Sequence, residues 1–100
     1  MVSLFALYRR PQDEAEFLAH YEMVHVPLAN RMPHLLSITW GRPESLDGPD
    51  SDLWFLVAEM RFDNRDAMTA ALHSPWGQAA GQDIQQFAPG LLTMRMVEWQ

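Results

Sequence analysis

Residues 53 to 62 read "LWFLVAEMRF". Both alternating sets of side chains are apolar: Trp54, Leu56 and Ala58 on one side, Leu53, Phe55 and Val57 on the other. This is the strongest strand signal in the chain, and the double apolarity predicts that something packs on each face. "VSLFALYR" (2–9) has the same character, with Leu4, Ala6 and Tyr8 alternating with Phe5 and Leu7. "LLSITWGR" (35–42) and "LLTMRMVEW" (91–99) complete a set of four strands.

The segments between them read as helices. Asp13 is a candidate N-cap with Glu16 three residues on, and Phe17, Tyr21, Val24 and Leu28 fall within one arc of a helix ending near Met32-Pro33. Asp63 or Asn64 caps a short helix through Ala67, Met68, Ala71 and Leu72. Ser74-Pro75 restarts helix, with Trp76, Ala80, Ile84 and Phe87 on one side, and Pro89-Gly90 ends it. The acidic loop "PESLDGPDSD" (43–52) joins two β-α-β halves. The order predicts an α+β, ferredoxin-like βαββαβ domain over residues 1–100: a four-stranded antiparallel sheet with its helices on one face. The other face has no cover from its own chain. A second copy of the sheet is the simplest cover, which predicts a homodimer through the open face; a ligand or another partner are the alternatives.

The bulk numbers exclude several functions. One hundred residues fit one domain. The formal net charge is −6, with seven scattered Arg and no Lys, so neither nucleic acid nor an anionic membrane is expected as a partner. The absence of Cys removes disulfides, thiolate nucleophiles and Cys-held metals. "MVSLFALYRR" carries its charges after its apolar run, the reverse of a signal peptide, and no stretch is long and apolar enough to span a bilayer. A cytoplasmic protein is the default expectation.

Candidate chemistry gathers in "FLAHYEMVHVPL" (17–28). On an α-helix, His20 and His25 lie about 140° apart, so His20 is expected on the far, solvated flank. Tyr21 and His25, four apart, share a face. An imidazole at the edge of the apolar arc can move protons near neutrality, or can simply bond a carbonyl. Pro27 cannot bond the carbonyl of Met23; it either bends the helix just past His25 or starts a second segment. Tyr8, at the end of the first strand, could pair with His25 as phenol and imidazole, and Trp40, Trp54, Phe55 and Trp76 are candidates to line an apolar pocket or the dimer interface. Asp83 is the only acid between Asp66 and Glu98, which makes it a candidate contact residue or a solvated helix acid. No nucleophile elbow, phosphate loop or metal-ligand spacing is present, and no cofactor is expected.

"LYRRPQDEAEFLAHYEMVHVPLANRMPHL" resembles the opening of the EthD family, named for an accessory protein of ethyl tert-butyl ether degradation. Phe17, Tyr21, His25, Pro27, Leu28 and Pro33 carry that likeness. "LHSPWGQAAGQDIQQFAPG" resembles the family's second segment through Ser74, Pro75, Gly77, Asp83 and Phe87. The resemblance implies a dimeric α+β barrel and a pocket with His25 in it. Such barrels include lactone isomerases, polyketide cyclases and cofactor-free oxygenases, and some hold haem, for which His25 or His34 would be the ligand to test. The family commonly has Gly where this chain has His34, leaving that imidazole near the entrance of the second strand. Together these readings predict a small hydrophobic, cyclic or aromatic ligand, bound or transformed in catabolism or biosynthesis. His25 and Tyr8 would be catalytic, and Tyr21, Trp40, Phe55, Trp76, Asp83 and His34 would bind the ligand. A non-catalytic accessory or carrier dimer is the alternative.

Overall fold

The four strand patterns become β1 (Val2–Arg9), β2 (Ser37–Gly41), β3 (Trp54–Phe62) and β4 (Leu92–Glu98) in the computed structural model, which describes residues 1–48 and 53–100. They form one sheet in the order β2-β3-β1-β4, antiparallel throughout. The two most apolar strands therefore take the centre. Residues 49–52 of the acidic loop lie outside the described residues.

Two helical arms cross one face of this sheet. The first is α1 (Glu14–His20), a π-helical turn (Tyr21–His25) and α2 (Val26–Ala29). The second is α3 (Arg65–His73) and α4 (Pro75–Phe87). The expected caps are in place: Asp13 accepts from the Glu16 N–H, Asn64 from Ala67 and Ser74 from Gly77. Each satisfies a backbone donor that the helix itself cannot.

The core lies between arms and sheet. Val2, Leu4, Ala6 and Tyr8 of β1 stand level with Phe62, Met60, Ala58 and Leu56 of β3, and all eight are buried. Phe17, Tyr21, Ala29, Met68 and Ala71 close down on them. One alternation differs from the sequence expectation. Tyr8 pairs with Leu56 and Arg9 with Trp54, so Phe55 is an extra, unpaired residue. This bulge turns Phe55 inward beside Leu56, where its ring meets Phe17 edge-on at 5.6 Å.

The opposite face is less apolar than alternation alone suggested. Phe5, Leu7 and Val57 form a half-buried apolar strip, but Phe5 pairs with Glu59 on one side and Arg95 on the other. Ser3 on this face is fully buried, because the Trp99 indole N–H donates to its hydroxyl, which donates to Glu59 at 2.6 Å.

Candidate functional site

The first arm turns on one backbone event. The Val26 N–H bonds the Tyr21 carbonyl, an i→i+5 bond, so the helix carries one extra residue per turn between Tyr21 and His25. Residues five apart then stand above one another. His20 and His25, expected on different faces, come to the same side. Val24, expected in the apolar arc, is turned out and is 46% exposed, while His25 takes the inward position at 5%. Pro27 has no N–H with which to extend the wide ladder, so it ends there. Pro27 sits in the first turn of α2, where a missing donor costs little. Of the two sequence readings of Pro27, the start of a second segment is the one seen.

Both imidazoles meet the same carboxylate, reached from α4. The His20 Nε2–H donates to Asp83 Oδ1 at 2.8 Å, and the His25 Nδ1–H donates to Asp83 Oδ2 at 3.0 Å. The Asp83 bond fixes His25 as the tautomer whose Nε2 lacks a proton. The sequence reading thus missed His20. The signal that could have found it was the five-residue spacing of two His followed closely by Pro27, which suits a π turn as well as an α-helix.

His25, Tyr8 and Tyr21 line a small cavity of about 90 Å³ between the arms and the sheet. Its floor is Ala6, Ile38, Met60 and Met94, one from each strand, and its far wall is α4. That wall is open because Gly77, Ala80 and Gly81 are small. Among the described residues, nothing hydrogen-bonds the two phenol oxygens or His25 Nε2. None of these atoms is sealed away, so each keeps access to open space at the cavity.

Burial sets their charge states. Desolvation lowers the His25 pKa below its ordinary 6.5, against the opposing pull of the Asp83 bond and charge, with the neighbouring His20 lowering it further. His25 is therefore neutral at pH 7. Tyr8 is held far above the usual phenol range by burial, then by Tyr21 and the Asp83 charge; Tyr21 is raised by burial alone. Both phenols stay protonated donors. The site thus holds one neutral base and two neutral donors in an apolar setting.

Tyr21 shares the cavity, and the other candidates lie around it or elsewhere. Tyr21 touches both Tyr8, at 5.6 Å between ring centroids, and His25 at 5.4 Å, so it links the phenol–imidazole pair. Trp40 supports Tyr21 edge-on at 5.3 Å from behind the cavity. Phe55 is packed under the Arg42 guanidinium at 3.9 Å, away from the lining. Trp76 is exposed beneath Arg31. His34 is exposed with φ of 68°, the left-handed conformation that favours glycine. Phe87 was not singled out as a site residue, yet it stacks on His20 at 4.5 Å and touches His25 at 5.2 Å. Among the described residues no group of three or more His, Asp or Glu is arranged to hold a metal ion, and no helix is long and apolar enough to cross a membrane.

Known proteins share this arrangement of elements. An uncharacterised 11.0 kDa protein from the thcB–thcC intergenic region of Rhodococcus erythropolis is 35% identical over 94 residues, covering 94% of this chain and 90% of that one. An ethyl tert-butyl ether d (EthD) family protein of Bacillus halodurans C-125 superposes with a TM-score of 0.93 at 34% identity, covering 100% of this chain and 99% of the other. More distant structures share the fold alone. They include a dimeric ferredoxin-like protein of unknown function from Thermobifida fusca (TM-score 0.73, 16% identity, 98% and 90% covered). Another is SnoaB, a cofactor-independent oxygenase from Streptomyces nogalater (0.70, 15%, 99% and 92% covered). The EthD domain model matches residues 9–90, both arms and strands β2 and β3 included. The chain belongs to the EthD family.

Proposed function

We propose that this protein binds a small, apolar carbonyl compound in the cavity and moves a proton on it, with His25 as general base. One observation carries the reading: His25 Nε2 is neutral, backed by Asp83 through Nδ1, and faces an apolar cavity that also holds two protonated phenols. A base positioned with oxyanion donors is what enolisation needs. The base takes a proton from the carbon beside the carbonyl. The electron pair of that C–H bond moves into a carbon–carbon double bond, and the negative charge on oxygen is met by Tyr8 or Tyr21. Returning the proton at another carbon isomerises the compound. SnoaB supports the idea that this fold works without a cofactor, and only as fold-level analogy.

Size narrows the ligand. The cavity is about 90 Å³, whereas an apolar cavity of about 150 Å³ takes benzene. This limits the ligand to one smaller than benzene; a larger ring requires Met32, Met60 and Met94 to move, which flexible thioethers allow at a cost. The protein acts as a homodimer in this reading, with the Phe5–Leu7–Val57 strips of two sheets in contact. That part is supported by the strip itself and by the dimeric state described for the Thermobifida fusca protein.

The test uses cyclopent-3-enone, a one-ring β,γ-unsaturated ketone, and follows its conversion to cyclopent-2-enone. Conversion by the protein that falls at least about 100-fold in His25→Gln is expected. Equal conversion by both proteins sinks the catalytic role. Binding of the ketone without conversion by either would make the protein a carrier.

A further inference from the structure

The shared carboxylate links two environments. His25 is enclosed, its side chain 7% exposed, while the His20 side chain is 32% exposed and lines a separate open cleft of about 550 Å³. Phe17 and Phe87 stand in the wall of that cleft, and both are absent from the cavity lining. The two spaces are thus separated by aromatic rings but joined by the chain His20–Asp83–His25, with contacts of 2.8 and 3.0 Å. A ligand filling an apolar cavity leaves no water beside His25 to exchange its proton.

We infer that His20 is the outer terminal of a proton path, carrying protons between solvent in the cleft and the buried base His25 through Asp83. The inference rests on the proposed role of His25 as base. The transfer balances without any other reactant. Once His25 Nε2 has taken a proton, from substrate or from water in the empty cavity, the His25 Nδ1–H bond breaks as an Asp83 O–H bond forms, leaving His25 neutral as its Nε2–H tautomer. His20 first exchanges through cleft water from its Nε2–H form to the Nδ1–H tautomer; a half-turn of the carboxyl group then presents the relayed proton to its bare Nε2, and His20 releases its Nδ1 proton to cleft water, which restores the Nε2–H form. The charged and titratable groups facing His20 from the cleft are Arg10, Asp13 and Glu16; Asp83 faces it from α4. His20 is a positioning and relay residue, since it does not touch the cavity.

The path can be measured without a substrate. In protein labelled with 15N-histidine, the exchange of the His25 Nδ1–H with water is followed by saturation transfer. In His20→Gln the amide N–H still donates to Asp83 but cannot titrate. We expect exchange at least tenfold slower than in wild type, with the His25 ring shifts and the stability kept. Unchanged exchange in His20→Gln overturns the path, because a merely supporting role is satisfied by the glutamine. In the wild-type protein the same rate should rise with added phosphate, a charged buffer that reaches His20 in the open cleft but is excluded from the apolar cavity beside His25; a flat dependence also overturns it. The cyclopentenone assay keeps the two ideas apart. Conversion that needs His25, beside exchange that ignores His20, removes the path alone. Exchange that needs His20 without any conversion removes the base and leaves the path.

Discussion

Both helical arms are interrupted, and the interruptions serve different ends. In the second arm Ser74 stops α3 and caps α4, so the chain changes direction between two regular helices. The junction is a packing device: a Cβ on Gly77 would lie 2.3 Å from the Ala71 carbonyl oxygen and 2.5 Å from that of Leu72. In the first arm the helical backbone continues through the interruption, with Tyr21 and Val26 both still in the right-handed region. The π turn changes no direction that packing requires. It changes which side chains face inward, trading Val24 for His25 and bringing His20 alongside. One break makes the fold close; the other makes a polar site inside an apolar core.

That contrast predicts a ranking of effects. Gly77→Ala should cost the most, about 3 kcal/mol or loss of folding, because the added carbon meets backbone oxygens that cannot swing away. Urea denaturation measures it. Gly81, one helical turn on, has nothing within 4 Å of an added Cβ. Gly81→Ala should instead stabilise by about 1 kcal/mol through helix propensity. Equal effects at the two glycines would show that the junction is not the tight point.

Next come the residues at the site. Asp83→Asn removes the charge that holds both imidazoles, and cyclopentenone conversion should fall by about 100-fold or more, with about 1–3 kcal/mol of stability lost. A variant with wild-type activity would detach α4 from the chemistry.

A smaller effect follows from pH. His25 has a folded pKa below 6.5, so as pH falls through 6.5 the unfolded chain binds the proton first. The contribution of this residue to stability is complete above that value and declines below it, down to the folded pKa. In thermal melts between pH 5 and about 8, wild type should lose stability on acidification below 6.5 more steeply than His25→Gln, and the two slopes should match well above that value. Identical pH profiles would mean that His25 is not held neutral by the fold. The least effect is expected at His34→Gly, which removes left-handed strain at φ of 68° and should leave stability level or raise it by up to about 1 kcal/mol.

How much of this was legible beforehand follows the same division. The four strands and the caps Asp13, Asn64 and Ser74 were readable because alternation and capping are local signals that the fold leaves intact. The inward turn of Phe55 was not, since it depends on a pairing shift at Tyr8 and Arg9 that only the partner strand defines. At the site, Tyr21 and His25 were placed together correctly by i,i+4 spacing, and Tyr8 reached the same cavity. At a step of about 100° per residue His20 falls on the far flank, and a single i→i+5 bond cancels that step and brings it alongside His25. Aromatic residue type does not report position, and neither does the family departure at His34: Trp40 and Phe55 pack behind the site, and Trp76 and His34 face solvent.

The central claim is that the π turn places a neutral His25 base over an apolar cavity. The most direct test is the pH–rate profile of cyclopent-3-enone conversion, run for wild type and His25→Gln. The account predicts a wild-type rate that is flat near pH 7 and falls on acidification with an apparent pKa below 6.5, and a variant reduced about 100-fold with that limb missing. A wild-type limb at or above 6.5, or a variant that keeps both rate and profile, would contradict it.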